Sequence, residues 1–197
     1  MSAGARPRRG APPKGEVCAR GRILTTASEL FYREGIRAIG VDTVVEQSGV
    51  SKTSLYRLFD SKDALIAAFV TEKDQLFWLW WDGVEEQYAG DLRALLEALL
   101  SGIAEKIGRP AFRGCPFLNL ATGCPDQNHP GRVIARDNRE EMRARLATIV
   151  AKLGVRDPNR TASQIALIIN GAYVTGLLAE TADLRSNLVD AAMKLLA

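Results

Sequence analysis

Apolar positions recur along this chain at spacings of three and four, and no stretch of useful length alternates strictly between apolar and polar. That is the period of helices packed on a shared core, not of strands. Ile23, Leu24, Ala27, Leu30 and Phe31 mark a first helix, which Gly35 is placed to end. A second, short helix enters at Gly40 and carries Val41, Val44 and Val45 on one face, with Asp42 at its positive end. Gly49 breaks it, and Ser51 is placed to cap a third helix holding Leu55 and Phe59. Ser61 opens a long amphipathic fourth, with Leu65, Ile66, Phe69, Val70, Phe77, Trp80, Trp81 and Val84 on its stripe. Further stripes run over residues 92–103, 130–153, 162–181 and 184–197, while 108–130 is rich in Gly and Pro and holds a short helix at most. The pattern predicts an all-α chain of about nine helices without a sheet.

The stretch "SGVSKTSLYRLFDSKDALI" carries the most chemistry. Two short helices joined by a glycine turn, packed on a preceding amphipathic helix, form a helix-turn-helix. With Val44, Val45, Val50, Leu55 and Phe59 turned inward, Lys52, Thr53, Ser54, Tyr56 and Arg57 are left facing outward at the start of the third helix. Small polar and basic groups in that arrangement suit base edges and phosphates. The same pattern also fits a solvated face of a helical bundle that touches no DNA.

Charge sharpens the choice. Through Lys62 the chain has 11 Lys and Arg against 6 Asp and Glu, a net +5, while the remainder is −2 (15 against 17). A basic first third on a near-neutral body is the electrostatic outline of a nucleic-acid-binding head. Residues 1–15 hold three prolines with Arg6, Arg8, Arg9 and Lys14, and read as a disordered basic arm. "LFWLWW" is far too short for a membrane span, and the N-terminus lacks the apolar stretch of a secretory signal. Three cysteines argue for a reducing cytoplasm and against a disulfide framework.

Residues 20–66 resemble the N-terminal domain of the TetR (tetracycline-repressor) family of bacterial regulators. The resemblance is carried by "A..LF...G" from Ala27, the Gly40-Val41 entry, "GVSK..LY..F" and "SKDAL". It implies a helix-turn-helix head over residues 16–62 and a ligand-binding and dimerisation body over 63–197. Tyr56 and Lys62 are then expected at DNA phosphates, Ser51, Lys52, Thr53 and Ser54 at the groove, and Arg57 on a base or phosphate. Leu58 departs from the pattern, since many members carry a phosphate-binding histidine there. The implied partners are a double-stranded DNA operator, a second copy of the chain and a small-molecule effector, with no cofactor, no metal and no membrane. Repression is the family default.

In the body, Trp78, Trp81, Phe112, Cys115, Phe117, Asn119 and Tyr173 are the expected effector contacts, Trp78 because it falls off the main stripe. Each aromatic also reads as plain core. The apolar run "IALIINGAYVTGLLA" needs cover on more than one side, and with Leu184, Leu188, Ala191 and Leu195 it forms an expected four-helix dimer seam. Other readings are a Cys115-based redox switch, a nucleophilic pair of Cys115 or Cys124 with His129, and a zinc site from Cys115, Cys124, Asp126 and His129. The last lacks the paired short spacing of structural zinc, and nothing in the sequence positions the nucleophilic pair.

Overall fold

The computed structural model describes residues 14–178 and 182–196, and among them every regular element is helical. The order is α1 (Lys14–Glu34), α2 (Val41–Ser48), α3 (Lys52–Leu58), α4 (Lys62–Gln87), α5 (Leu92–Ile107), α6 (Pro116–Gly123), α7 (Pro130–Lys152), α8 (Pro158–Leu178) and α9 (Leu184–Met193), with a 3-10 turn at Lys194–Leu196. Of the predicted basic arm, residues 1–13 lie outside the described residues, and Lys14 and Gly15 begin α1.

Local chemistry sets the boundaries. Gly49 takes φ 64° at the end of α2, where its N–H donates to the Val45 carbonyl; a side chain there would strain. Ser51 and Ser61 accept the N–H groups of Ser54 and Ala64, capping α3 and α4. Asp91 takes two N–H groups at the start of α5, and Pro116 and Pro130 occupy the first turns of α6 and α7.

The head's core gathers Ile23, Ala27, Leu30 and Phe31 of α1 with Ile39, Val44, Val50, Leu55 and Phe59. Val45, expected inside, is only half-buried at its edge. Leu65, Ile66 and Phe69 of α4 close this core, with Phe69 meeting Phe31 edge-on at 5.9 Å. Farther along, α4 packs against α7, and α7 against α8, forming the body with α5, α6 and α9. At 26 residues, α4 is about 39 Å long and belongs to both halves.

Two features of the body differ from expectation. By length and composition α8 is apolar enough to cross a membrane, with a mean hydropathy of 1.3, although here it packs on α5, α7 and α9. Leu184 and Leu188 of α9 are buried within their own subunit, against α5 and α8, rather than held out for a partner.

Candidate nucleic-acid interface and interior cavity

On the head, Ser51 fills two roles at once: its Oγ accepts the Ser54 N–H at 3.2 Å and donates to Ser54 Oγ at 3.0 Å. Both hydroxyls are thereby engaged in starting α3, which fixes the helix rather than leaving two open readers. Lys52 Nζ sits 2.7 Å from Asp42 Oδ1, with both side chains exposed, so the ammonium ties α3 to the first turn of α2. The hydrogen bond and charge of Asp42 hold this lysine above its ordinary range. Thr53, Tyr56 and Arg57 are exposed on the same face, Tyr56 at 43 %, although the ring of a tyrosine is ordinarily covered. Lys62, half-buried, is the first residue of α4. From below, the Arg20 guanidinium stacks 4.8 Å from the Phe59 ring and supports the end of α3.

The body holds a cavity of about 420 Å³ that opens to the surface. Lys73, Leu76, Phe77 and Trp80 line it from α4, and Lys106 from α5. Arg109, Phe112, Gly114 and Cys115 line it from the following loop, Phe117 from α6, Tyr173 from α8 and Tyr32 from α1. Close packing shapes the walls. Trp80 lies over α5 where Gly102 leaves room, since a Cβ there would come within 2.7 Å of the indole. A Cβ on Gly176 would come within 2.0 Å of Ile107 and 3.3 Å of Phe112. The Tyr32 hydroxyl donates to the Gly114 carbonyl and accepts the Arg113 N–H, both at 3.1 Å, so a head residue clasps the cavity's loop. A larger groove of about 630 Å³ lies among α4, α5 and α9; Trp80 and Tyr88 line it, but so do the carboxylates Glu97, Glu105 and Asp190.

Of the residues expected at an effector, Phe112, Cys115, Phe117 and Tyr173 come together in the cavity. The other three go elsewhere. Trp81 is fully buried core, its Nε1 donating to Glu85 at 2.8 Å. Trp78 turns toward α7, where the Arg145 guanidinium lies 4.3 Å from its ring and also pairs with Asp82, Glu85 and Glu141. Asn119 is exposed and donates to the Arg113 carbonyl at 2.7 Å. The residues not anticipated are Tyr32, Lys73, Lys106 and Arg109. Their one signal in the sequence is the spacing of Lys73, Leu76, Phe77 and Trp80, which occupy a single face of α4.

His129 is not paired with a cysteine: its Nδ1 accepts the Gly131 N–H at 3.0 Å, and its Nε2 lies 3.5 Å from Asp63 Oδ1. Both ring nitrogens thus face groups other than Cys115 or Cys124, against the alternative of a nucleophilic pair. No cluster of three or more metal-binding side chains occurs among the described residues.

Residues 23–69 match the family model described as bacterial regulatory proteins of the tetR family. SCO4454, a TetR-family transcriptional regulator from Streptomyces coelicolor, superposes with a TM-score of 0.86. It is 27% identical over 92% of this chain and 95% of its own. A TetR transcriptional regulator from Streptomyces avermitilis MA-4680 is 31% identical over 89% of this chain and 98% of its own, with a TM-score of 0.74. The HTH-type transcriptional activator FasR of Mycolicibacterium smegmatis is 45% identical over 49 residues, 25% of this chain; the match spans only 22% of FasR.

Proposed function

Because the chain belongs to the TetR family and is a DNA-binding transcriptional regulator, we propose that it acts in the cytoplasm as a homodimeric repressor, released from its operator by an apolar or aromatic molecule held in the body cavity. The observation that carries this reading is α4 itself. One helix begins at Lys62 beside the recognition helix, closes the head's core with Leu65 and Phe69, and then lines the cavity with Lys73, Phe77 and Trp80. A ligand that displaces that wall acts on a rigid rod whose other end positions α3. By linkage, such a ligand must bind the DNA-bound form less well than the free form.

Dimerisation is supported by α8, where Leu167, Val174, Leu177 and Leu178 are exposed although large and apolar. A dimer is also what a short recognition helix needs, because two half-sites supply the specificity that one cannot. Thr53, Tyr56, Arg57 and Lys62 are the side chains proposed to face DNA, with Ser51 and Ser54 fixing the helix that presents them.

The test is to enrich a binding duplex from random sequence, then follow complex size by sedimentation as salt is raised. We expect two subunits per pseudo-palindromic duplex and a steep fall of affinity with salt. A monomer on DNA, or binding indifferent to salt, removes the reading.

A further inference from the structure

The cavity's charges are more specific than its walls. None of its lining residues is a carboxylate, yet three are cations: Lys73, Lys106 and Arg109. Lys73 has a partner in Glu72, at 3.4 Å. Lys106 and Arg109 have no carboxylate within salt-bridge distance among the described residues. Instead the Lys106 ammonium lies 3.3 Å from the centroid of the Trp80 ring and 5.7 Å from that of Phe77. Two like charges one helical turn apart, one of them half-buried against aromatic rings, form an arrangement that an anion relieves in two ways. It cancels their repulsion and supplies the hydrogen-bond acceptors that the ring faces lack.

The inner wall agrees in sign. Behind Phe77 and Phe117 the Arg139 guanidinium lies 5.5 Å and 5.0 Å from the two rings, and its Nη1 is buried without a hydrogen-bond partner. Burial holds the Tyr173 hydroxyl well above the ordinary range, so it stays a neutral donor at the cavity. Aromatic walls, a cationic rim and no acid together exclude a cationic ligand and favour a flat anionic one.

We propose that the cavity takes an aromatic carboxylate, its ring against Phe77, Trp80 and Phe112 and its carboxylate between Lys106 and Arg109 at the rim. The assignment rests on the cavity being the effector site, and it makes Lys106 the residue that separates an acid from its neutral analogue. Monodentate or bridging contacts from these two cations replace the cation–π contact of Lys106 with a charge-assisted hydrogen bond.

Calorimetric titration of the full chain with 2-naphthoate and with 2-naphthamide, which share a shape and differ in charge, tests this. The native chain is expected to prefer the acid by about tenfold or more. Lys106→Met should bring the two probes toward parity, weakening the acid more than the amide, and Lys106→Arg should retain the preference. Amide binding equal to or tighter than acid binding on the native chain overturns the assignment and leaves an apolar effector site standing. So does a preference for the acid that survives both Lys106→Met and Arg109→Gln. Binding of neither probe overturns the cavity reading as well.

Discussion

The two ends of α4 place similar residue types in opposite circumstances. At the head, the cation Lys52 is paired with a carboxylate in open water, and Tyr56 is left 43 % exposed. In the body, the cation Lys106 is covered by an indole and lacks a carboxylate partner, while Tyr173 is 7 % exposed. Exposed charge suits a polyanion that arrives with its own counterions and is held by many weak contacts. Half-buried, unpaired charge suits one small anion held by few strong ones. Under the proposed function, the helix that joins them turns the second kind of binding into a change in the first.

The largest expected effect tests whether the two ends are separable. Trp81 is fully buried beyond the cavity, in contact with Phe77, Trp78 and Trp80. Trp81→Ala should cost about 3–5 kcal/mol of stability by denaturant unfolding. DNA affinity per folded molecule should hold, and a parallel loss would mean that head and body form one unit.

Next comes Tyr56→Phe, expected to leave the melting temperature unchanged and to cost about 0.5–1.5 kcal/mol of operator affinity, the size of one hydrogen bond. A drop in melting temperature with unchanged affinity would make Tyr56 a packing residue, erasing the contrast with Tyr173.

Lys62→Ala should weaken binding to specific and nonspecific duplexes alike and flatten the log–log salt dependence by about one unit. Discrimination between duplexes that survives while the slope stays fixed would move Lys62 off the phosphate backbone.

The smallest effect is a pH slope in the body alone. Burial, and then the neighbouring Arg109, lower Lys106 from 10.5 to about 8. Between those values the unfolded chain binds more protons than the folded one, so stability should rise with pH across that window. Lys106→Met should remove the slope, read as melting temperature against pH, while below pH 8 the two chains should run parallel.

The head was legible because its surface comes from one continuous stretch. Caps at Ser51 and Ser61, the Gly49 break and the Leu55–Phe59 pair all lie within a few residues of one another, where local rules operate. The cavity draws on Tyr32, Lys73, Lys106, Phe112 and Tyr173, from five segments whose meeting no spacing announces. Stripe arithmetic treats a helix as lying on one flat partner, but α4 touches α1, α5, α6 and α7. Its three tryptophans therefore part company, Trp78 toward Arg145, Trp80 toward the cavity and Trp81 into the centre. Lys106, in the last turn of α5, looks in sequence like any solvated lysine that completes a helix end.

His129 gives this architecture a built-in probe. It is the chain's only histidine, buried at the start of α7, with its Nδ1 taking an N–H and its Nε2 directed at Asp63 in the first turn of α4. Accepting at Nδ1 places the proton of the neutral ring on Nε2. Nitrogen-15 labelling of histidine alone would therefore light a single imidazole in the magnetic-resonance spectrum, free of overlap. Its Nε2 frequency would register whether α7 still touches the first turn of α4, beside α3, in the free protein, on operator DNA and with a candidate effector added.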